Sequence, residues 1–556
     1  MNLSKIFTIK YFVYLVGFLL LFLYINNFQI LYEINRILDM RGYLISFVYM
    51  SNFLLGTIAF ILLLQNKYTR IPILMIFFIV SIIDLGYLNI SGSIFRYSDA
   101  LLIIHEINSP LALEAIKSYG NYFIKGSFIS LVFVTIIYLI FRERNVKYSA
   151  RIGIFLYIIS ILFTYVILMK SDARRVSSPT IVKIPTLLYY VSVSKLYFGD
   201  RDKISISIED IPKYKHIIYI VDESVRGDML GINGFKEDTT PFLNSIKSKI
   251  YNYGIASSGA TCSIYSNTVL LTGVQLDNLE DVKGKFIRKS PYIMDYAKYA
   301  GFKTSFFDMQ NSNDKPDNYL QIKDFDNIDN LYFLNDDVNI DYKVYNADFI
   351  GLDKLTEYIH KNIDSKTFSY FLKQGSHFGY LSRFPKENTY FKPIMKDNSD
   401  FWEWSLEVKP RVLNTYYNTI RWGVDTFVKD LIEKLKGTDT LIIYTSDHAE
   451  NIIDYVDIKR THCLDDYAPT VMAKVPLFVI DIGESNKYNF VKSNINHASH
   501  FNIFGTILNL MGYNKDETAK VYGKTLFDNL SDDKRVFTSG DLFGRGNQLY
   551  KNNFDD

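Results

Sequence analysis

The chain has 556 residues, which is more than one ordinary hydrophobic core covers, so we expect at least two structural units. Hydrophobic residues make up 48% and charged residues 22%, which excludes a disordered or a fibrous protein. The 61 basic residues nearly balance the 59 acidic ones, so no charge excess points to a nucleic-acid-binding protein. Two cysteines are too few for a disulfide-rich scaffold or a cysteine-rich zinc module.

Long apolar runs are concentrated before residue 170. Five of them are each about 20 residues long, enough to cross a hydrocarbon layer roughly 30 Å thick. They cover approximately residues 9–28, 43–64, 71–90, 123–141 and 152–169. A cleaved signal peptide would be followed by polar chain, so we predict a five-helix transmembrane domain over residues 1–170. Residues 171–212 are polar and mixed, which suggests a connector along the membrane surface.

Basic residues indicate the orientation of these spans. With five crossings, all the basic clusters fall on one side of the membrane, and the positive-inside bias makes that side cytoplasmic. The clusters are Lys5 with Lys10, Lys67 with Arg70, and the group Arg142, Arg144, Lys147 and Arg151. The N-terminus is therefore expected in the cytoplasm, and everything after residue 170 on the opposite side.

From residue 213 onward the pattern alternates between strands and helices. Short apolar runs rich in β-formers end in polar residues and are separated by helical segments. They include HIIYIVDES, FKTSFFDM, FSYFLKQGS, DTLIIYTSDH and VPLFVID. This alternation predicts, over residues 213–556, an α/β domain with a mostly parallel central sheet flanked by helices.

Three of the predicted strands end in residues that bind metals. Asp222 and Glu223 follow IIYIV, His377 follows FSYFLKQGS, and Asp447 with His448 follows LIIYTS; His462 comes a little later. Ligands gather at the carboxyl ends of the strands of such a sheet. Carboxylate oxygens combined with imidazole nitrogens suit Zn²⁺.

Several blocks together resemble one family. These are IVDESVRGDMLGINGFKEDTTPFL, LKQGSHFGYLSRFP, YYNTIRWGVDTFVKDLI, YTSDHAE, THCLDDYAP followed by VPLFVI, and HASHFNIFGTILNLMG. In this order they are similar to the phosphoethanolamine transferases of the alkaline phosphatase and sulfatase superfamily. The resemblance covers about residues 213–530, and five N-terminal spans are also that family's layout.

The resemblance implies roles for the strand-end residues. Glu223, Asp447 and His448 match the family's ligands of the catalytic zinc, and His377 and His462 match the pair that faces the substrate phosphate or a second zinc. One or two zinc ions are thus expected. The family usually has Gly where this chain has Asp222, so Asp222 is either a further ligand, as in sulfatases, or a helix-cap carboxylate.

The nucleophile lies within the segment SSGATCSIYSNTVLLTG, which offers Thr261, Cys262 and Ser263 side by side. In the family and in sulfatases the nucleophile stands three residues before a Ser and nine before the Thr of a Thr-Gly pair. Ser263 has both spacings, whereas counting forward from Glu223 favours Cys262. Ser263 is the preferred nucleophile, and Cys262 and Thr261 remain alternatives.

Two further expectations are less direct. The stretch IIHEINSPLALEAIKSYGN resembles the family's lipid-donor loop, with Asn108, Ser109 and Glu114 as the nearest matches, although the spacing differs by about one residue. Helix capping at Asn108 or Ser109 is an equally good interpretation. Cys262 and Cys463 flank proposed site residues, and whether they pair is left open by the sequence.

The resemblance implies a monomeric, zinc-dependent enzyme of the bacterial inner membrane with a periplasmic catalytic domain. It would take phosphoethanolamine from phosphatidylethanolamine and place it on lipid A, lipopolysaccharide core or a related surface glycan. The alternatives are a phosphoglycerol transferase of the lipoteichoic-acid or periplasmic-glucan kind, and a membrane-tethered sulfatase or phosphatase. The sequence does not identify the acceptor.

Overall fold

A computed structural model gives the architecture of the protein. It describes residues 16, 43–91, 95, 100, 110–170, 178–193, 200–279, 289–311, 320, 322–326, 328–337, 342–464, 467–483, 487, 489–540 and 549–555. The chain forms two compact units, Met1–Lys195 and Leu196–Asp556. Each unit has its own hydrophobic core.

The first unit is helical in its described part. Its helices are α1 (Tyr43–Leu64), α2 (Lys67–Ser91), α3 (Pro110–Phe141), α4 (Ser149–Lys170) and α5 (Thr180–Val193). Among the described residues, three stretches are long and apolar enough to cross a membrane: Lys67–Asn89, Tyr122–Phe141 and Ser149–Val166. Met50–Leu64 and Thr180–Tyr189 are apolar but shorter.

Four of the five predicted spans coincide with helices of this unit. The spans at 43–64, 71–90, 123–141 and 152–169 fall in α1, α2, α3 and α4. The span at 9–28 lies outside the described residues apart from Val16, which is helical. Five membrane crossings therefore stay a prediction.

The predicted connector at 171–212 contains a helix that the sequence analysis missed. Helix α5 buries Ile181, Ile184 and Leu187 in the core of the first unit. Its Lys183 ammonium lies 3.1 Å from Asp84 Oδ1 on α2, and both side chains are buried. Since an apolar face and a buried ion pair attach α5 to this core, the boundary between the units falls after Lys195 rather than at residue 170.

The second unit is built on a seven-stranded sheet with the order β2-β7-β6-β1-β5-β3-β4. The strands are β1 (His216–Asp222), β2 (Ile250–Ser257), β3 (Lys303–Asp308), β4 (Asn330–Phe333), β5 (Thr367–Leu372), β6 (Thr440–Ser446) and β7 (Lys474–Asp481). Strands β6, β1, β5, β3 and β4 pair in parallel, whereas β7 is antiparallel to both of its neighbours. The predicted α/β fold with a mostly parallel sheet is confirmed.

Both faces of the sheet are covered, which explains the continuous apolar runs of its strands. Tyr219 and Val221 of β1 belong to one core cluster, and Ile218 and Ile220 belong to the other. The covering helices are α6 (Pro241–Ser245), α7 (Ser263–Thr272), α8 (Ile293–Tyr299), α9 (Ala347–Lys361), α10 (Ser399–Glu403), α11 (Lys409–Ile420), α12 (Phe427–Lys434), α13 (Ile503–Leu510) and α14 (Lys515–Tyr522). Strands β8 (Val536–Gly540) and β9 (Leu549–Asn553) form a separate two-stranded antiparallel sheet.

The parallel strands bring the predicted site residues to one edge of the sheet. Strands β1 and β6 are adjacent and in parallel register, with Asp222 opposite Ser446. Glu223 therefore follows β1 at the level where Asp447 and His448 follow β6. The sheet thus places these three residues together without any long loop.

Candidate active site

Glu223, Asp447 and His448 form a buried cluster at the carboxyl edge of the sheet. One ligand atom from each residue lies within 4.8 Å of the others, and all three side chains are buried. The backbone N–H of Asp447 donates to the Asp222 carbonyl at 2.9 Å, which ties the ends of β1 and β6 together. The first residues after two adjacent strands are in this way held as one group.

The turn after β1 also orients Asp447. Ser224 adopts a left-handed backbone conformation with φ of 61°, which is rare for a residue with a side chain. In this conformation its N–H donates to Asp447 Oδ1 at 3.1 Å, and the His448 N–H donates to the same oxygen at 2.7 Å. Asp447 Oδ2 is buried and has no hydrogen-bond partner among the described residues.

The electrostatics of the cluster fit a cation. Burial raises the pKa of Glu223 well above its ordinary value, and the neighbouring Asp447 charge raises it further. Burial also raises the pKa of Asp447 to about 6 and lowers that of His448 to about 4. Two adjacent buried carboxylates repel each other unless a positive charge is shared between them. Two carboxylates and one imidazole, with Asp447 Oδ2 without a hydrogen-bond partner among the described residues, therefore fit a Zn²⁺ ion.

The imidazole of His448 presents its unprotonated ring nitrogen, Nε2, to this cluster. Nδ1 lies 3.0 Å from the Ala449 carbonyl, and because a carbonyl only accepts, Nδ1 carries the proton. Nε2 consequently directs its lone pair toward Glu223 Oε1, 3.4 Å away. This is the tautomer that a metal ligand requires, and the carbonyl fixes it.

Ser263 is the first residue of α7 and lies against the cluster. Its Oγ is 3.0 Å from His448 Nε2 and 3.5 Å from Glu223 Oε1. Helix α7 begins here with Cys262 as its N-cap, so negative charge on the Ser263 oxygen lies at the positive end of the helix dipole. The hydroxyl thus lies beside two of the three residues of the cluster, Glu223 and His448.

The two alternative nucleophiles lie in different environments. The Cys262 sulfur is bonded to Cys463, so Cys262 offers no thiolate. The structure therefore contradicts the alternative in which Cys262 is the nucleophile. The bond also answers the question of cysteine pairing. The Thr261 hydroxyl is buried and has no hydrogen-bond partner within the described part of the chain. Its backbone N–H donates to the Thr538 carbonyl at 3.0 Å.

His377 and His462 lie next to the cluster. The His462 ring centroid is 4.3 Å from that of His448 and 6.0 Å from that of His377. Burial lowers the pKa of His462 to about 4 and that of His377 well below its ordinary value. Both imidazoles are thus neutral at physiological pH, and the His462 ring lies against that of His448.

Both carboxylate oxygens of Asp222 are already used in hydrogen bonds and an ion pair, whereas a metal ligand needs an available oxygen. Its Oδ2 accepts hydrogen bonds from the buried Lys373 ammonium and from Tyr444, and its Oδ1 accepts from the Glu223 N–H at 2.9 Å. Asp222 is therefore not part of the metal-binding cluster. The interpretation of Asp222 as an added ligand is corrected: it is a buried ion-pair partner that fixes the backbone of Glu223.

Three further residues support the site and were not singled out from the sequence. Gln310 Nε2 donates to Glu223 Oε2 at 3.3 Å and to the Lys373 carbonyl at 2.5 Å. His500 accepts from the Gly259 N–H at 3.1 Å and contacts Ser266 Oγ, also at 3.1 Å. Glu450 is buried, accepts from Tyr380, and lies 3.6 Å from His462 Nδ1. Glu450 and His500 fall within the TSDHAE and HASHF blocks. These two blocks could therefore have indicated in the sequence that Glu450 and His500 lie at the site.

The proposed lipid-donor residues are in the first unit. Asn108 and Ser109 lie outside the described residues. Glu114 belongs to helix α3, and its side chain is likewise outside the described part. The role of these residues stays a prediction.

The mostly parallel sheet and the buried Glu223, Asp447 and His448 cluster at its carboxyl edge lead to the sulfatase class. The sulfatase family model matches residues 215–513, more than half of the chain, and the chain therefore belongs to the sulfatase family. The match contains the metal-binding cluster, Ser263 and both flanking histidines.

Individual relatives carry more specific names. The chain is 24% identical over 318 residues to the Kdo(2)-lipid A phosphoethanolamine 7''-transferase of Escherichia coli K12, covering 54% of this chain and 52% of that protein. It is 33% identical over 99 residues, 18% of this chain and 17% of the relative, to the phosphoethanolamine transferase OpgE of the same strain. The chain thus spans about half the length, or less, of these relatives.

Solved structures show the same fold. The integral membrane protein lipooligosaccharide phosphoethanolamine transferase A of Neisseria meningitidis superposes with a TM-score of 0.55 at 17% identity, covering 86% of this chain and 90% of that one. The C-terminal periplasmic domain of EcEptC from Escherichia coli, in complex with Zn, gives 0.53 at 17% identity, covering 64% of this chain and 97% of that one. At these identities the similarity concerns the fold alone.

Proposed function

We propose that this protein is a zinc-dependent transferase that moves phosphoethanolamine from phosphatidylethanolamine to lipid A, lipopolysaccharide core or a related surface glycan. The observation that carries the proposal is the position of the Ser263 hydroxyl against the buried Glu223, Asp447 and His448 cluster. The names of the relatives support phosphoethanolamine as the transferred group and lipid A as an acceptor.

Glu223, Asp447 and His448 would hold the zinc, with the Ser263 oxygen next to it. When bound, Zn²⁺ lowers the pKa of the serine hydroxyl and offsets the negative charge of the phosphoryl group. Ser263 Oγ then attacks the phosphorus of the donor. A bond forms between Oγ and phosphorus, the bond from phosphorus to the diacylglycerol oxygen breaks, and diacylglycerol leaves with a proton.

A second displacement completes the transfer. The acceptor oxygen attacks the phosphorus of the phosphoserine, and Ser263 regains its proton. The His462 ring is 4.3 Å from that of His448 and 6.0 Å from that of His377, which supports the proposal that both histidines face the phosphoryl group. A neutral imidazole accepts the proton of an incoming hydroxyl, and next to a phosphoryl anion a protonated imidazole donates to the departing oxygen. We assign both roles to this pair.

The apolar helices of the first unit support placement in a bacterial inner membrane. The distribution of basic residues favours a cytoplasmic N-terminus, five crossings and a periplasmic catalytic unit. Such an arrangement gives the active site access to lipid head groups and requires no nucleotide. Asn108, Ser109 and Glu114 are proposed to contact the donor lipid, and the enzyme is proposed to act as a monomer.

Mass spectrometry of envelope lipids from cells with and without the gene tests the proposal. We expect lipid A or core species that gain one phosphoethanolamine only when the gene is present. A gain of phosphoglycerol on a glycan would instead identify the phosphoglycerol transferase alternative. Release of free sulfate or phosphate without any transfer would identify a hydrolase.

A further inference from the structure

We infer that the Cys262–Cys463 disulfide positions the nucleophile Ser263 against His462, so that its reduction slows transfer without removing the metal. This inference rests on the proposed function for the roles of the two residues. The bond joins positions 201 residues apart. Cys262 directly precedes Ser263, and Cys463 directly follows His462. Each half of the disulfide is thus one peptide unit away from a proposed catalytic side chain.

The disulfide and a backbone hydrogen bond both link the segments of Ser263 and His462. The Cα atoms of the cysteines are 4.5 Å apart. Beside the bond, the N–H of Cys463 donates to the Thr261 carbonyl at 2.8 Å. A covalent bond and a hydrogen bond side by side fix both the distance and the direction between the two segments.

The metal-binding cluster does not depend on this link. Glu223 and Asp447 are held by the ends of β1 and β6 and by backbone donors at Ser224 and His448. In contrast, His462 lies beyond the exposed stretch 454–457 of a surface loop. Its Nδ1 contacts Thr461 Oγ1 at 2.8 Å and Glu450 Oε1 at 3.6 Å. Breaking the disulfide should therefore loosen His462 relative to Ser263 and leave the cluster in place.

The backbone at Cys463 supports this interpretation. Its φ of 57° is in the left-handed region, which is unfavourable for a residue with a Cβ. Such a conformation persists only where surrounding contacts enforce it. The disulfide and the Thr261 hydrogen bond are contacts of this kind, so the segment is expected to relax once the covalent bond is opened.

Both cysteines are half-buried, so a small reductant can reach the bond. A dithiol such as dithiothreitol transfers two electrons and two protons to the disulfide, which gives two cysteine thiols, and the dithiol itself closes to a cyclic disulfide. Reoxidation in air or by an oxidised dithiol reverses the change. The same protein can thus be compared in both states without a mutation.

The test measures transfer by the full-length, zinc-loaded protein before and after dithiothreitol treatment, well below its unfolding temperature. We expect kcat to fall by about 10- to 100-fold, since a small displacement of a catalytic group has an effect of this size. KM should stay unchanged, bound zinc should equal that of the untreated protein once the dithiol is removed without air and Zn²⁺ is added back, and activity should return on reoxidation. The double variant C262A/C463A should show the same loss and no further response to dithiothreitol.

A double-mutant cycle separates positioning from general stabilisation. His462→Ala should reduce kcat much less in the C262A/C463A background than in the wild type, because His462 is already displaced there. Fully multiplicative effects, or unchanged kcat after verified reduction, would overturn the inference. Should the double variant fail to fold, reduced wild-type and reduced His462→Ala proteins complete the same cycle.

One readout does not depend on the proposed function. Trypsin cleavage after Lys459 and Arg460 reports on the loop before His462, and reduction should accelerate it. A wild-type protein that transfers no phosphoethanolamine but shows this acceleration would refute the proposed function and leave the structural link intact. Cleavage rates that are equal in both redox states would refute the link itself.

Discussion

Ser263 Oγ lies 3.0 Å from His448 Nε2, although the two residues are 185 positions apart in the chain. The contact exists because α7 begins at the carboxyl edge of the sheet where β6 ends. Neither Thr261 nor Cys262 reaches the same position. The Thr261 hydroxyl is buried elsewhere, and the Cys262 side chain forms a disulfide. This contact supports the proposal that Ser263 is the nucleophile.

Single substitutions should distinguish the three candidate nucleophiles. Ser263→Ala should abolish transfer, because it removes the hydroxyl that lies against Glu223 and His448. Thr261→Ala should retain most of the activity, and Cys262→Ala should be slow but still active. Transfer assays with purified variants measure this. An active Ser263→Ala variant would contradict the assignment.

Metal binding should depend on the acidic residues of the cluster. Glu223→Gln and Asp447→Asn should each reduce bound zinc and lower activity by at least about 100-fold, since a ligand is lost and the remaining buried carboxylate lacks its partner cation. Elemental analysis of the purified proteins measures the zinc. Asp439→Asn, at the opposite end of β6, is the matched control and should bind zinc normally. Equal zinc contents in all variants would argue against the cluster.

The Lys373–Asp222 ion pair should stabilise the catalytic unit. Both side chains are fully buried, and the ammonium also donates to the Gly423 carbonyl at 2.5 Å. Lys373→Met leaves the Asp222 carboxylate buried without its cation, which costs roughly 3–5 kcal/mol of unfolding free energy. The double variant with Asp222→Asn should recover part of this loss. Denaturant titrations measure the effect, and an unchanged midpoint in Lys373→Met would contradict it.

Acid should destabilise the catalytic unit partly through His216. Burial lowers the pKa of His216 from 6.5 to about 4, and Nδ1 lies 2.8 Å from Thr367 Oγ1. Because the unfolded chain binds this proton more readily, stability is full above pH 6.5 and falls as the pH drops toward 4, by up to roughly 3 kcal/mol. His216→Gln should flatten this part of the stability profile. Parallel profiles for the variant and the wild type would rule out the contribution of His216.

Reporter fusions test the membrane topology. Fusions after Lys67 and Ser149 should report a cytoplasmic location, and a fusion after Lys236 a periplasmic one, because the basic clusters then share one side. Dual alkaline phosphatase and green fluorescent protein reporters give opposite signals on the two sides of the membrane. A cytoplasmic signal after Lys236 would refute an odd number of crossings.

The sequence was sufficient for the strands that carry the site. Runs such as IIYIVDES and LIIYTSDH combine an apolar strand with polar residues at its end, and parallel pairing then brings Glu223 and Asp447 together. Strands β2 and β4 were missed. Strand β2, IYNYGIAS, has a register shift between Asn252 and Ile255, and β4 has only four residues. Neither segment therefore shows the run or alternation of apolar residues that predicts a strand.

Other features depend on contacts between distant residues. The role of Asp222 is set by Lys373, 151 positions away, and neither neighbouring sequence indicates the pairing. The same holds for α5. In the sequence, Lys183 has the pattern of an exposed charge in a connector, and only the structure shows that it pairs with Asp84 of α2. Buried ion pairs of this kind were therefore not predictable from local pattern.

The covalent intermediate is the most direct test of the account. Purified protein incubated with phosphatidylethanolamine and no acceptor is digested, and the peptide that contains Ser263 is analysed by mass spectrometry after acid quench. We expect a mass gain of one phosphoethanolamine, located at Ser263 by fragmentation and absent from the Ser263→Ala protein. A phosphoethanolamine group located on Thr261, or a Ser263 peptide that stays unmodified while diacylglycerol is released, would contradict it.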